Sequence, residues 1–148
     1  MKLQVSILFL CISILNARAQ ISIQKISNNW QFRNVNERIW YSATVPGTVH
    51  TDLLQNKLIP DPFYRDNETK LQWISSTEWE YQTYFNVSKN TLQNKTINLV
   101  FEGLDTYAEV FLNGKNILYA NNMFRTWKID VKNLIRSKGN HLYIKFFS

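Results

Sequence analysis

Apolar and polar residues alternate along most of this chain, and that period of two limits most strongly what it can fold into. In residues 78–87, EWEYQTYFNV, aromatic and aliphatic residues from Trp79 to Val87 share one face, and Glu78 and Glu80 lie on the other. The pattern predicts a half-buried antiparallel strand with both glutamates in water. Segments of the same kind occur at 20–26, 29–35, 39–45, 95–103, 106–120, 124–131 and 140–147.

Two local patterns refine this assignment. Within 106–120, Asn113-Gly114 is the dipeptide that a two-residue type I′ hairpin turn prefers. Residues 48–58 instead carry apolar residues at helical spacing, with Thr48 as a possible N-cap and Pro60 as a stop, so we expect one short helix there. Short strands with one helix predict an all-β sandwich, either a jelly roll or an immunoglobulin-like domain.

The first nineteen residues have the pattern of a secretory signal peptide. Val5–Leu15 is an apolar run too short to span a bilayer comfortably, and Ala17-Arg18-Ala19 follows as a small-x-small cleavage sequence. We therefore expect a signal peptide over 1–19, a mature domain over 20–148, and entry into the secretory pathway. A buried N-terminal strand or helix is the alternative.

Composition excludes several classes of function. Signal cleavage would remove the single cysteine, Cys11, and lower the formal net charge from +6 to +4. No run of five basic residues occurs, so we expect no nucleic-acid partner. There is no second long apolar segment either, so we expect no membrane attachment after cleavage. His50 and His141 lack neighbours at metal-ligand spacing, so we expect no metal site. No Gly-rich phosphate loop occurs either, so we expect no cofactor.

Three Asn-x-Ser/Thr sequons become candidate glycosylation sites if the chain is secreted. They begin at Asn67, Asn86 and Asn94. Asn86 and Asn94 are the better candidates, because they bracket a loop between two predicted strands.

Paired carboxylates would indicate a glycosidase, but none of the acidic residues has the required spacing. Retaining enzymes hold the two groups about 5–5.5 Å apart and inverting ones about 6.5–9.5 Å. Asp105 and Glu109 on one strand would be about 13 Å apart, and Glu102 flanks a turn. Glu78 and Glu80 would be about 7 Å apart, yet an alternating strand with a solvated face explains them better. We expect no catalytic residue among these 148.

Five tryptophans leave two interpretations open: a sugar-stacking groove or a sandwich core. Trp79 and Trp127 have apolar neighbours at period two, which favours the core for both. Trp73, beside the loop at 60–70, is the candidate for an exposed role.

The order of several motifs resembles one known family. VPGTVHTDLL (45–54), IPDPFYRDNE (59–68) and FEGLDTYAEVFLNG (101–114) carry most of the resemblance. NW at 29–30, QWISSTEWEY at 72–81, NNMF at 121–124 and LYIKFFS at 142–148 continue it. From residue 21 to 148 the chain is similar to the N-terminal domain of the β-mannosidases, retaining exoglycosidases of the second glycoside hydrolase family.

The resemblance implies a jelly roll of the galactose-binding type, followed by immunoglobulin-like sandwiches and a TIM barrel with two catalytic glutamates. Such a barrel needs about 250 residues, so neither glutamate maps onto this chain, and both would lie beyond Ser148. The implied partners are the downstream domains of the same protein and a β-mannoside oligosaccharide. The implied reaction is hydrolysis of terminal non-reducing β-D-mannose in glycoprotein oligosaccharides, in the lysosome or alternatively outside the cell.

The family motif around DPFYRDNE suggests a surface role for its loop. Tyr64, Arg65 and Asn67 are candidates for an interdomain or substrate-side contact, together with Trp73. Ordinary loop packing is the alternative. A glycan on Asn67 would obstruct such a contact, which makes this sequon the least favoured of the three.

The last predicted strand, Leu142 to Phe147, is followed only by Ser148, without a turn or a partner strand. We therefore expect an open apolar edge and a truncated jelly roll that lacks its last strand or strands. Two other functions stay open: a free-standing secreted lectin-like module that binds carbohydrate, and an immunoglobulin-like adhesion module. The helix at 48–58 and the lack of a Cys…Trp…Cys core argue against the second.

Overall fold

A computed structural model describes residues 21–148, so the predicted signal peptide lies outside the described residues. The described chain contains strands, three short helices and one 3₁₀ turn. The strands are β1 (Gln31–Asn34), β2 (Tyr41–Ser42), β3 (Trp79–Phe85), β4 (Asn98–Phe101), β5 (Ala108–Leu112), β6 (Lys115–Ala120), β7 (Trp127–Asp130) and β8 (Asn140–Phe146). The helices are α1 (Val49–Gln55), α2 (Asn67–Lys70) and α3 (Lys89–Gln93), and the 3₁₀ turn is Gln72–Ile74.

The strands form two antiparallel sheets, which confirms the predicted all-β sandwich. The larger sheet has the order β2-β1-β3-β8-β5-β6, and the smaller one pairs β4 with β7. Alternation along β3 sends Trp79, Tyr81 and Thr83 into the buried layer, as a period of two requires. Phe32, Val110 and Leu112, all without exposed surface, lie at the centre of the core.

The expectation of an open edge at the last strand is wrong. β8 lies inside the larger sheet, where Leu142 pairs with Thr83 of β3 on one side and Leu112 of β5 on the other. After β8, residues 147 and 148 lie beyond the strand pairing, and Ser148 is exposed. The alternating pattern of Leu142 and Ile144 is the same in a central strand and in an edge strand. The sequence alone therefore could not show whether β8 is a central strand or an edge strand.

Helix α1 begins as predicted at its cap and ends earlier than expected. Thr48 and Thr51 form a reciprocal capping box, in which each side-chain oxygen accepts from the other's backbone N–H. The helix ends at Gln55, because Asn56 turns its side chain back to donate to the carbonyl oxygens of Asp52 (2.7 Å) and Ser42 (2.8 Å).

Two further helices occupy segments that the sequence predicted as loops. α3 begins after Ser88, whose hydroxyl accepts from the Thr91 N–H at 3.1 Å. α2 is a single turn inside the loop after Pro60. The short length of both helices explains why no helical periodicity marked them.

The predicted first strand does not form. Residues 21–26 have no ladder partner among the described residues, and the Ile21 and Ile23 side chains are exposed. Alternation of apolar and polar residues therefore did not suffice here, because a strand also needs a neighbouring strand to pair with.

The predicted hairpin is confirmed: Asn113 and Gly114 have φ values of 53° and 82° between β5 and β6.

A buried carboxylate fixes α1 to the larger sheet. Asp52 is fully buried and accepts from the Thr44 N–H (2.8 Å) and from the Tyr81 hydroxyl (2.9 Å). Burial raises the pKa of Asp52 above its ordinary value of 3.8, and the two hydrogen bonds oppose that rise. Burial of the Tyr81 hydroxyl and its contact with Asp52 raise the pKa of Tyr81.

The side-chain amides of the buried Asn140 and the half-buried Asn113 close the opposite end of the sandwich. Asn140, with no exposed surface, accepts from the Arg136 N–H (2.8 Å) and donates to the Arg136 carbonyl (2.6 Å). It also accepts from Asn113 Nδ2 (3.1 Å), which donates to the Leu134 carbonyl as well (2.8 Å). These bonds join the β5–β6 turn to the segment before β8.

Candidate functional site

Glu80 on β3 and Glu78 directly before it each form an ion pair with a different cation. Glu80 is buried, against the expectation of a solvated side chain, because Arg33 forms an ion pair with it and Tyr143 donates to it at 2.7 Å. Glu78 pairs with Lys145 at 2.8 Å. Burial and the bond to Glu80 raise the pKa of Tyr143. Carboxylates neutralised in this way are structural, so they do not form an acid/base pair.

The acidic residues of the 101–115 segment also stay apart. Glu102 and Asp105 are exposed in the loop before β5, whereas Glu109 lies on β5 opposite Lys145. Within residues 21–148, no group of three His, Cys, Asp or Glu side chains is placed to hold a metal ion. His50 is exposed on α1, and His141 lies on β8 beside Tyr84.

The two catalytic glutamates that the resemblance implies were expected beyond Ser148. The described carboxylates at 78 and 80 and in the 101–115 segment do not take their place, because they are either paired with cations or separated from one another. Ser148 itself is exposed, two residues after β8 ends at Phe146. The position of the glutamates in a downstream domain stays a prediction.

Exposed apolar side chains concentrate in and beside the loop that follows α1. We call the exposed apolar residues of this region, together with the exposed Arg65, the loop surface: Leu54, Leu58, Phe63, Tyr64, Arg65 and Trp73. Phe63 is 96% exposed and Tyr64 58%, and the Arg65 guanidinium lies 5.1 Å from the centre of the Tyr64 ring. Leu58 and Trp73 line one cavity, and Phe63 and Tyr64 are neighbours in sequence. Exposed apolar groups placed near one another in this way make the loop surface a candidate interface.

Core contacts and hydrogen bonds fix the backbone of the loop surface. Ile59, Leu71 and Ile74 anchor it in the core. Within the loop, Asp61 accepts from the Phe63 N–H through its carboxylate (2.9 Å) and from Asn67 Nδ2 through its carbonyl (2.8 Å). Its exposed rings are therefore presented by a defined backbone.

Trp73 covers a small cavity at the inner edge of the loop surface. Its ring packs against Trp79, with centroids 6.1 Å apart, and 44% of the residue is exposed. The cavity behind it, of about 130 Å³, is also lined by Tyr41, Leu58 and Glu37. This volume is close to that of an engineered cavity that admits a benzene ring, so it can accept one side chain from a docked partner.

The structure separates the three sequons by the state of the nitrogen that would carry the glycan. The Asn67 nitrogen is used by the bond to Asp61. Asn86 is exposed and uses its side-chain oxygen to accept from the Gly139 N–H (2.9 Å), and Asn94 is exposed at the end of α3. Asn86 and Asn94 therefore bracket a helix, where a loop was expected.

The tryptophans divide between core and surface. Trp30 and Trp79 are buried, and each indole N–H donates to a backbone carbonyl. Trp127 is half-buried against the core under the Arg125 guanidinium, 4.2 Å from its ring. Trp40 lies under the Arg33 guanidinium at 4.4 Å.

Sequence reasoning missed a feature on the outer face of the larger sheet. There Tyr84 is 58% exposed and stacks on His141, with centroids 4.5 Å apart and planes 12° apart. A shallow pocket of about 410 Å³ lies beside Tyr84, lined by Asn29, Trp30, Gln31 and Ser42. The cross-strand pairing of Tyr84 with His141 could have indicated the stack, but only once the register of β3 and β8 was known.

None of the helices in the described part of the chain is long and apolar enough to cross a membrane.

Known proteins share this domain. A β-D-mannosidase from Dictyoglomus thermophilum superimposes with a TM-score of 0.84 and 43% identity, over 86% of this chain and 16% of that one. An exo-chitosanase from Amycolatopsis orientalis, 23% identical with a TM-score of 0.69 over 80% of this chain and 16% of its own, shares the fold. The β-mannosidase of Rattus norvegicus is 37% identical over 123 residues, which are 83% of this chain.

The match spans about 14% of the length of that relative. The profile of the glycosyl hydrolase 2 galactose-binding domain-like family matches residues 30–148, and the observed sandwich is of that type. The chain belongs to this family, as the N-terminal domain of a β-mannosidase homologue.

Proposed function

We propose that this domain serves a β-mannosidase that hydrolyses terminal non-reducing β-D-mannose residues in glycoprotein oligosaccharides. The observation that carries the proposal is the match of nearly the whole domain to β-mannosidases, at 37% and 43% identity. The bond chemistry belongs to a catalytic domain outside these 148 residues. The role of the domain is to brace that catalytic domain.

The loop surface is the part of the domain that meets the other domains of the same protein. Its exposed rings, Phe63 and Tyr64, are held by a hydrogen-bonded loop and so can dock without first becoming ordered. The cavity beside Trp73 has room for one side chain of the partner domain. Relatives in which the matched segment is only about 14% of the length have further domains that would cover it.

Activity and docking can be tested together in the longer protein. The purified 148-residue chain should leave a chromogenic β-mannoside intact, whereas the longer protein should hydrolyse it. Phe63→Ser should lower the melting temperature of the longer protein, because it removes a buried ring from the contact. Phe124→Ser is the matched control, since Phe124 is 87% exposed and lies outside the loop surface.

Two results would contradict the proposal. Hydrolysis by the 148-residue chain would contradict the assignment of the bond chemistry to a catalytic domain outside it. Equal melting temperatures for the longer protein and its Phe63→Ser variant would remove the docking role of the loop surface.

The proposed compartment is the secretory pathway, most simply the lysosome, with secretion to the outside as the alternative. The signal-peptide pattern at 1–19 and the exposed Asn86 and Asn94 support it. Expression in a glycosylating host should give glycans on these two residues, and none on Asn67, whose side-chain nitrogen is occupied. Mass spectrometry after endoglycosidase treatment would test each site, and a glycan on Asn67 would contradict the assignment.

A further inference from the structure

We propose that the pocket beside Tyr84 is a binding site for an uncharged saccharide. The site lies on the outer face of the larger sheet and consists of Tyr84, Asn29, Gln31 and Ser42 over the buried edge of Trp30. It does not depend on the proposed function, because it concerns binding by this domain alone.

Tyr84 provides an aromatic platform with one covered face and one free face. Its covered face stacks on His141, with the two rings nearly parallel. His141 Nε2 donates to Gln82 Oε1 at 3.0 Å, and Gln82 Nε2 donates to Gln31 Oε1 at 3.2 Å. The platform is therefore fixed before a ligand arrives, which reduces the entropy that binding would cost.

The groups around the platform suit hydroxyl groups. Gln31 uses its amide oxygen in the bond to Gln82, and among the described residues its amide nitrogen has no partner. The Asn29 side chain has none there either, and both amides line the pocket. An aromatic face with a few convergent polar groups is how small-molecule sites combine affinity with orientation.

Charge and size select the ligand class. None of the five lining residues carries a formal charge, and burial lowers the pKa of His141, so the stack stays neutral near pH 7. The volume of about 410 Å³ falls in the range of about 300–1,000 Å³ for small-molecule sites. A pyranose has an apolar face for Tyr84 and hydroxyls for the amides. The pocket is open, so further sugar units can extend into solvent.

Saturation-transfer NMR and calorimetry on the full chain, with β-1,4-mannobiose as the probe, would test the site. We expect saturable binding that does not change between low and high salt. Tyr84→Ala should weaken it by about tenfold or more, and Tyr84→Trp should retain it. Tyr119→Ala is the matched control, because Tyr119 is an exposed tyrosine on the outer face of the same sheet, on β6.

Each outcome of these measurements either supports the saccharide site beside Tyr84 or overturns it. Binding lost in Tyr84→Ala, kept in Tyr84→Trp and unchanged in Tyr119→Ala would establish the site, provided that all variants melt at the temperature of the parent chain. Absence of saturable binding would overturn the proposal. Equal binding by Tyr84→Ala, or binding that disappears at high salt, would overturn it as well.

Discussion

The two ends of the sandwich differ in their side chains: one end has hydrogen-bonded amides, and the other has exposed aromatic rings. At the end of β3 where Phe85 pairs with Asn140, the buried Asn140 amide and the half-buried Asn113 amide join the neighbouring loops through hydrogen bonds. At the other end of β3, beside Trp79, the loop surface presents Phe63, Tyr64 and Trp73 to solvent. The amide end satisfies its own polar groups, whereas the loop surface leaves apolar area uncovered.

This difference separates residues that fold the domain from residues that connect it. A buried amide is costly unless every partner is present, so the amide end must be complete within the domain. Exposed rings on a firmly held loop contribute little to folding, and their area becomes useful only when another surface covers them. Mutations at the two ends should therefore affect different measurements.

The largest effect is expected at the amide end. Asn140→Ala removes bonds to both backbone groups of Arg136 and leaves Asn113 short of an acceptor. The free energy of unfolding should fall by about 3 kcal/mol, because the fully buried Asn140 side chain would lose its hydrogen bonds at about 1 kcal/mol each. Urea denaturation of the chain would measure it. Asn121→Ala, at an exposed position, should change it by less than about 0.5 kcal/mol. Similar losses of unfolding free energy in Asn140→Ala and Asn121→Ala would contradict the structural role of Asn140.

An intermediate effect is expected at Asp52, which joins α1 to the sheet near the loop surface. Asp52→Ala leaves the Tyr81 hydroxyl without its acceptor in a buried site and removes the acceptor of the part-buried Thr44 N–H. We expect a loss of about 2 kcal/mol in the free energy of unfolding. Thermal denaturation followed by circular dichroism would detect it, and an unchanged transition would contradict the anchoring role.

The pH dependence of the same residue has a defined sign. Burial raises the folded-state pKa of Asp52 above its ordinary value of 3.8, so the folded chain holds this proton more tightly than the unfolded chain does. Its contribution to stability is fully present below 3.8 and is lost as the pH rises through the folded-state pKa. The chain should therefore lose stability relative to Asp52→Asn across that interval, and parallel stability curves would contradict the assignment.

Much of the fold was predictable because it depends on local chemistry. The alternation in β3 and β8 indicated the buried faces, Asn113-Gly114 indicated the hairpin, and Thr48 indicated the start of α1. The partner of each strand could not be predicted in this way. The central position of β8 and the failure of 21–26 to form a strand depend on contacts between distant segments.

The sites were less predictable for the same reason. Glu80 was expected in water, because its burial depends on Arg33, which lies 47 residues earlier in the chain. The stack of Tyr84 on His141 likewise depends on pairing across 57 positions. By contrast, motif order identified the loop that carries Tyr64 and Arg65, although its role as an interface stays a prediction.

The smallest effect is expected at the loop surface of the chain on its own. Phe63→Ser changes a side chain that is 96% exposed, so the free energy of unfolding should shift by less than about 0.5 kcal/mol. Solubility should rise, because the variant removes exposed apolar area. Denaturation and light scattering on the parent chain and the variant would measure both quantities. A loss above about 1 kcal/mol would mean that Phe63 packs within the domain, and the contrast between the two ends would then fail.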